Sequence, residues 1–167
     1  MQNATIPHTN TAARLFVWAL LLTCLLILSK YILFKKSPRY YKNYFNREYR
    51  HYKVKEGWAQ ANLAPFSTIR LFSSRRVTKE YSYKNIGGNI IGFVPLGILL
   101  PLLFGVFRNF FLLTGAVLFA SLSFETLQLL LGTGVFDVDD LILNTAGGIA
   151  GYLVFIIAGL LIPQRKQ

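Results

Sequence analysis

Four long apolar runs limit what this chain can fold into. They cover residues 13–34, 86–107, 110–131 and 141–162. The hydrocarbon core of a bilayer is about 30 Å thick and takes roughly 20 helical residues to cross, so each run is long enough to span it. The chain is 53% hydrophobic and only 15% charged, which is too apolar for a water-soluble domain. The sequence predicts an all-α, multi-pass integral protein of the cell membrane, with a bundle of about four transmembrane helices.

The segments outside these runs differ in charge. Residues 1–12 are polar, and we expect them to form a flexible N-terminus. Residues 35–85 form a basic loop that carries 13 of the 18 Lys and Arg residues, and residues 132–140 form a short acidic connection. The first run is longer than the apolar core of a signal peptide, and no small-residue cleavage site follows it. We therefore expect it to be retained as a span.

Within the basic loop, residues 39–53 predict an amphipathic helix. Aromatic residues recur there at helical spacing, and basic residues fall mostly on the other side. This pattern is typical of a helix that lies in the membrane interface and prefers anionic lipids. Interleaved aromatic and basic residues also bind single-stranded nucleic acid, but beside four spans we favour the membrane and predict no nucleic-acid partner. The expected interface residues are Arg39, Tyr41, Lys42, Phe45, Tyr49, Arg50 and Tyr52.

The few acidic residues are concentrated in one region. Four of the seven lie between residues 122 and 148, namely Glu125, Asp137, Asp139 and Asp140. Glu125 lies inside an apolar run, where a carboxylate costs about 2.5 kcal/mol or more, so such residues usually face a cavity or a partner. No Lys or Arg lies within the neighbouring runs to neutralise it. We therefore predict a functional role for Glu125.

Polar residues of three runs fall at the same end of the predicted bundle. Residues three, four or seven positions apart share a helix face, and the polar residues of each run follow that spacing. Asp139 faces elsewhere, so we expect its replacement by Asn to be mild. We predict that the others line one polar pocket. The pocket candidates are Asn85, Asn89, Glu125, Gln128, Asp137, Asp140 and Asn144.

Purely structural roles stay open for several of these residues. Asn85 and Asn89 have a side chain that commonly joins helices within membranes. Asp137 is placed to cap the N-terminus of the fourth span, since Asp accepts hydrogen bonds from the free amides of a first turn. Gly147 and Gly151 are four residues apart, which indicates a close-packing face.

The residue types in the pocket restrict its ligand. The candidates include no His or Cys, so we predict no zinc site, and oxygen ligands would leave only calcium or magnesium open. We predict no cofactor and no defined metal site. A polar pocket at the end of an apolar bundle suits the polar head of an amphiphile, a cation or a sugar.

One set of residues between positions 62 and 152 forms a specific combination, although no single piece of it is specific. The set consists of the run Asn62-Leu63-Ala64-Pro65-Phe66 and of Asn89, Phe93, Pro95, Leu96, Gly97, Ser123, Phe124, Glu125, Gln128, Asp137, Asp140, Asn144, Gly147 and Gly148. In order and spacing, this set resembles the VanZ-like family. The resemblance implies a small bacterial membrane protein linked to low-level resistance to the glycopeptide teicoplanin, and it implies little about mechanism.

Three functions fit this combination of residues. The first is a binding protein whose pocket holds an envelope lipid or a lipid-linked headgroup, with glycopeptide tolerance as an outcome. The second is a membrane enzyme that uses Glu125 with Asp137 or Asp140 as acid and base on such a headgroup. The third is a small transporter in which Glu125 takes up a proton or a cation. The expected partners are membrane lipids, including anionic lipids, with a lipid-linked cell-wall precursor or the glycopeptide as further candidates.

The distribution of basic residues predicts the orientation of the bundle. The side with the basic loop carries its 13 Lys and Arg residues and Lys30, whereas the side with both termini carries four. The positive-inside rule places residues 35–85 and the pocket end in the cytoplasm. Because glycopeptides act outside the cell, either this orientation is reversed or the protein acts on an envelope lipid or precursor rather than on the drug.

A single cysteine introduced near Lys79, in a background that lacks Cys24, tests this orientation. We expect an impermeant thiol reagent to leave it unmodified on intact cells and to modify it after the membrane is permeabilised. Modification on intact cells would show that residues 35–85 face outside.

Overall fold

A computed structural model describes residues 11–44, 47–73 and 79–161 of the chain. A 3₁₀ turn at Gly105–Arg108 joins the fifth helix to the sixth. The helices are α1 Thr11–Ile32, α2 Pro38–Tyr44, α3 Arg47–Ala59, α4 Ser67–Ser73, α5 Lys79–Leu103, α6 Phe110–Leu130 and α7 Val138–Leu161. Four of them, α1, α5, α6 and α7, contain stretches long and apolar enough to cross a membrane. The prediction of an all-α bundle with about four spans is confirmed.

Two of these long helices end at positions other than those expected, for local reasons. α7 begins at Val138 rather than at residue 141, because Asp137 caps its first turn. α5 begins at Lys79, inside the expected basic loop, and ends at Leu103. The helix ends there because Phe104 has an extended backbone, with φ −126° and ψ 112°.

Helices α5 and α7 form the most extensive contact in the bundle. Glycines let their backbones touch: a Cβ atom at Gly147 would overlap the carbonyl oxygen of Ile90, and one at Gly151 would overlap that of Val94. Small residues are common where membrane helices meet, because close van der Waals contact replaces the hydrophobic effect there. The close-packing face that the sequence indicated is therefore the face of α7 that meets α5.

Apolar side chains fill the middle turns of the bundle. One face of α1 is buried, with Cys24 among its residues as a free thiol. This face meets buried residues of the other long helices in a single cluster, so the polar side chains are left to collect at one end. The cluster consists of Val17, Leu21, Cys24, Leu28, Phe93, Leu96, Leu99, Leu113, Val117 and Tyr152.

The basic loop folds back onto the end of α6. The Tyr40 hydroxyl of α2 donates a hydrogen bond to the carbonyl oxygen of Gly132, and burial raises the pKa of Tyr40, so it stays a donor. Gly132 has φ +63°, a conformation that favours glycine. Gly57 of α3 is buried, and a Cβ atom there would press on the carbonyl oxygen of Gly134. α2 and α3 therefore cover the end of the bundle at which α7 begins.

The helix expected over residues 39–53 is divided between α2 and α3. Tyrosine rings hold these two helices together: Tyr40 packs edge-on against Tyr49, with 5.8 Å between ring centroids, and also against Tyr41 and Tyr44. Tyr40 of α2 thus contacts Tyr49 of α3. A single straight helix would not allow this contact, because it would hold the two residues more than two turns apart.

The residues expected at the membrane interface differ in their exposure. The rings of Tyr41 and Tyr49 are half-buried in the tyrosine cluster. The Arg39 side chain and Phe45 lie outside the part of the chain that the structure describes. Exposed side chains belong to Lys42, Arg50 and Tyr52. Lipid contact of this segment stays a prediction.

Replacement of Gly151 by Ala tests the contact between α5 and α7. Its methyl group would overlap the Val94 carbonyl oxygen, so we expect the protein in detergent to lose about 1–3 kcal/mol of stability, the usual cost of overpacking. The control is Gly115→Ala in α6, where a Cβ atom meets nothing within 4 Å. Equal thermal unfolding of the two variants would contradict the described packing.

Candidate functional site

The segment after α3 is paired with the start of α7 by backbone hydrogen bonds. The Asn62 N–H donates to the carbonyl oxygen of Phe136 at 2.9 Å, and the Val138 N–H donates to that of Asn62 at 3.0 Å. These two bonds form an isolated parallel bridge between Asn62 and Asp137. The bridge fixes the polar segment at the bundle end from which α7 departs.

Both oxygens of the Asp137 carboxylate accept hydrogen bonds inside this junction. Its Oδ1 accepts from the Asn62 side-chain amide at 2.7 Å and from the backbone N–H of Asp139 at 2.8 Å, and its Oδ2 accepts from the Thr68 hydroxyl at 2.7 Å. The bond from Asp139 is the capping interaction of a helix N-terminus. Asp137 thus has the structural role that its sequence position left open.

Asp139 holds the start of α4 in place. Its side chain is fully buried, and its carboxylate accepts hydrogen bonds from the backbone amides of Phe66, Thr68 and Ile69. Phe66 has φ +66°, which is uncommon for a bulky residue and needs support from its surroundings. Asp139 faces away from the pocket, as expected. Because its carboxylate accepts from three backbone amides, we expect its replacement by Asn to destabilise this segment rather than to be mild.

We call Asn62, Ser67, Thr68, Asp137 and Asp139 the junction network. Within it, the Asn62 side-chain oxygen also accepts from the Ser67 hydroxyl at 2.6 Å and from the Ala64 N–H at 3.1 Å. The network connects to the spans through Glu125 of α6, whose Oε2 accepts from the Asp137 N–H at 3.2 Å. It therefore orients Glu125 from outside the apolar bundle.

Two more polar pairs join the spans just inside this junction. The Asn89 amide of α5 donates to the Asp140 carboxylate of α7. One turn further along α7, the Asn144 amide donates to the Ser121 hydroxyl of α6 at 2.9 Å. Glu125, Asn144 and Ser121 are at most 2% exposed, so these polar groups lie within the bundle rather than on its outer surface.

A cavity of about 450 Å³ lies between α1, α5, α6 and α7 at this end. Its size falls within the range of small-molecule sites, roughly 300–1,000 Å³. One wall is polar and the opposite wall is apolar. The polar wall contains Asn85, Asn89, Glu125, Gln128, Asp140 and Asn144, and the other lining residues include Ile27, Leu28, Tyr31, Ile32, Lys35, Gly88, Ile91, Gly92 and Phe93.

The structure thus brings six of the seven pocket candidates together around one cavity. The seventh, Asp137, lies outside the lining because its carboxylate is used in the junction network. Their role as ligand contacts stays a prediction.

Sequence reasoning missed Lys35. It follows α1, lines the cavity and interacts electrostatically with Glu125 and Asp140. The sequence has no Lys or Arg within the spans next to Glu125, whereas Lys35 lies just beyond the end of α1. Its position as the first basic residue after the span was the available signal. Asp139 had no such signal, because its partners are backbone amides 70 or more residues away in sequence.

Within the described part of the chain, no group of three His, Cys, Asp or Glu side chains is arranged to hold a metal ion. A second depression, of about 510 Å³, lies on the outer surface of α3. All its lining residues come from that one helix, so it lacks the converging elements that form the cavity in the bundle.

Comparison with known proteins identifies the family. The sequence profile of the family described as VanZ/LLP1 matches residues 18–159. The chain belongs to the VanZ/LLP1 family. The matched region includes the junction network, the cavity, α5 and α6, and most of α1 and α7. It extends the expected resemblance over residues 62–152 toward both termini.

One curated relative of this VanZ/LLP1 protein is Protein VanZ of Enterococcus faecium. The two are 31% identical over 108 residues, which is 63% of this chain and 58% of the relative. The chain thus spans less than two thirds of the length of that relative. No solved structure matches the chain.

Asp139→Asn tests the junction network. The amide cannot replace a carboxylate that accepts from three backbone N–H groups, and each bond to a charged group contributes about 1.5–3 kcal/mol. We expect the segment around α4 to open more often and tryptic cleavage after the exposed Arg70 to accelerate on the order of tenfold or more. Glu48→Gln, which removes a charge from the exposed face of α3, is the control. Unchanged cleavage at Arg70 in the Asp139 variant would contradict the holding role of Asp139.

Proposed function

We propose that this VanZ/LLP1 protein binds the headgroup of an envelope lipid, or of a lipid-linked cell-wall precursor, in the cavity between α1, α5, α6 and α7. Through this binding it affects tolerance to glycopeptide antibiotics, with teicoplanin as the expected drug. The observation that carries the proposal is a cavity with charged and amide groups on one wall and membrane-facing apolar residues on the other.

The apolar wall favours a ligand that arrives from the membrane. Ile27 and Tyr31 of α1 and Ile91 of α5 line the cavity, and they are 51%, 69% and 70% exposed on the outside of the bundle. Both helices are long and apolar enough to span a bilayer. In a bilayer these three side chains would contact acyl chains, so the cavity would meet lipid at the side of the bundle as well as water at its end.

The polar wall favours a headgroup rather than an acyl chain. Polar and ionisable residues inside a membrane are expensive and usually face a cavity with a function. Glu125 and Asp140 lie on facing helices, and each is oriented by another group: the Asp137 N–H for Glu125 and the Asn89 amide for Asp140. Held in this way, the two carboxylates are pre-organised for a polar ligand, which lowers the entropy lost on binding.

The position of Asp137 disfavours one of the two acid–base pairs of the enzyme hypothesis. One form of the enzyme hypothesis paired Glu125 with Asp137, but both Asp137 oxygens already accept hydrogen bonds from the protein. Asp137 also lies outside the cavity lining, so it does not face a headgroup bound there. The observations that support binding, namely a lateral apolar wall and oriented carboxylates, do not depend on a chemical step.

Two neighbouring glycines allow a matched test of the cavity. A Cβ atom at Gly87 or at Gly88 meets nothing within 4 Å, so an added side chain starts without a clash at either position, but only Gly88 lines the cavity. In a glycopeptide-susceptible host, we expect Gly88→Leu to reduce the rise in minimum inhibitory concentration of teicoplanin to the level of the empty vector. Gly87→Leu should retain the wild-type rise.

Membrane amounts of the two leucine variants are compared by immunoblot, so that expression does not account for the difference. Glu125→Gln removes the charge and keeps the shape of the side chain, and it should also abolish tolerance. Full tolerance in the Gly88 and Glu125 variants would refute a role for the cavity. If the wild-type protein gives no tolerance, the glycopeptide part of the proposal is wrong.

A further inference from the structure

The polar wall of the cavity offers acceptors of hydrogen bonds more than donors. The side-chain nitrogens of Asn89 and Asn144 are used inside the protein, as donors to Asp140 and to Ser121. Each of these amides keeps one further N–H, so the acceptor bias of the wall comes from its carboxyl groups and from the Asn144 oxygen, which accepts no bond from the residues that the structure describes. The carboxyl oxygens of Glu125 and Asp140 are acceptors, and in the ionised form these groups do not donate, so they strengthen the same bias. A ligand that satisfies this wall must bring its own N–H or O–H donors.

One of these acceptors is buried without a partner. The Asn144 side chain is 2% exposed and lines the cavity, and among the described residues its Oδ1 has no hydrogen-bond partner. A buried polar atom that stays unpaired destabilises the protein. A donor placed in the cavity by a ligand would remove this cost.

The ionisable groups around the cavity favour a ligand that carries both a cationic and an anionic group. Within the part of the chain whose side chains are described, neither Glu125 nor Asp140 forms a salt bridge. Lys35 lines the same cavity but is exposed, at the end where α1 terminates. The arrangement thus places two carboxyl groups inside and one positive charge at the rim. An ammonium group inside and an anionic group beside Lys35 would match both.

We propose that the cavity binds an amphiphile whose headgroup carries a primary ammonium group next to a phosphate. The ammonium group has three N–H donors, as a lysine side chain does, and it meets three acceptors: the carboxylates of Glu125 and Asp140 and the Oδ1 of Asn144. The phosphate lies beside Lys35, and the acyl chains leave along the apolar wall of α1 and α5. This inference rests on the proposed headgroup binding and names its chemical class.

A series of phospholipids with identical acyl chains tests the ammonium site. The probes are phosphatidylethanolamine, its N,N-dimethyl derivative, phosphatidylcholine and phosphatidylglycerol, each presented to the full-length protein in mixed micelles and measured by native mass spectrometry. The first three keep the phosphate and the positive charge. Their ammonium groups have three N–H donors in phosphatidylethanolamine, one in its N,N-dimethyl derivative and none in phosphatidylcholine. We expect binding to fall along this series, with at least about tenfold preference for ethanolamine over choline, since each hydrogen bond between charged partners is worth about 1.5–3 kcal/mol.

Three variants separate the two halves of the headgroup. Glu125→Gln should bring the preference for ethanolamine over choline close to one, because it removes a charged acceptor. Lys35→Gln should weaken the binding of both lipids by a similar factor, because both carry the phosphate. The preference for ethanolamine over choline should stay intact. Glu48→Gln is the same substitution as Glu125→Gln, made on the exposed face of α3. It should behave as the wild type.

The possible failures are distinguishable. Equal binding of ethanolamine, choline and glycerol lipids, abolished by Gly88→Leu, would overturn the ammonium site and leave headgroup binding in place. Stronger binding of phosphatidylglycerol than of phosphatidylethanolamine would overturn it in the same way. Lipid binding that is insensitive to Gly88→Leu for every probe would remove the proposed function together with this inference.

Discussion

The placement of the cavity residues depends on the hydrogen bonds that two aspartates at the start of α7 accept. Asp137 and Asp139 together accept hydrogen bonds from Asn62, Thr68 and the backbone amides of the segment that leads into α4. A buried carboxylate without such partners would cost several kcal/mol, so each aspartate stabilises the fold only while the segment stays docked. The docked segment in turn fixes the first turn of α7, and with it Asp140 and Asn144, which follow at the cavity.

The close contact between α5 and α7 completes the cavity from the other side. Glycines on α7 bring its backbone against that of α5, which places Asn89 within hydrogen-bond distance of Asp140. α1 packs on α5 through an apolar face and lines the cavity with Ile27 and Tyr31. Close helix packing therefore places the polar groups on one wall, while the looser contact with α1 provides the apolar wall. Helix packing thus gives the cavity one polar side between close-packed helices and one side that faces the membrane.

Much of this organisation can be predicted from the sequence, because the membrane imposes strong and local constraints. The four spans follow from the length of the apolar runs, and the convergence of Asn89, Glu125 and Asn144 follows from helical spacing and short connections. Contacts that depend on the tertiary fold could not be predicted. The sequence grouped Asp137 with the pocket and set Asp139 aside, whereas both belong to the junction network. That assignment depends on a segment about 70 residues earlier in the chain, and no periodicity links the two.

The central claim is that a lipid headgroup occupies the cavity beside Glu125 and Asp140. Photolabelling tests it most directly: the full-length protein, in a bilayer that contains a phospholipid with a diazirine in its headgroup, is irradiated and the labelled residues are located by mass spectrometry. We expect label on cavity residues, with Glu125 or Asp140 among them, and loss of that label in Gly88→Leu. Label confined to exposed positions outside the cavity, such as Glu48 on α3, would contradict the claim.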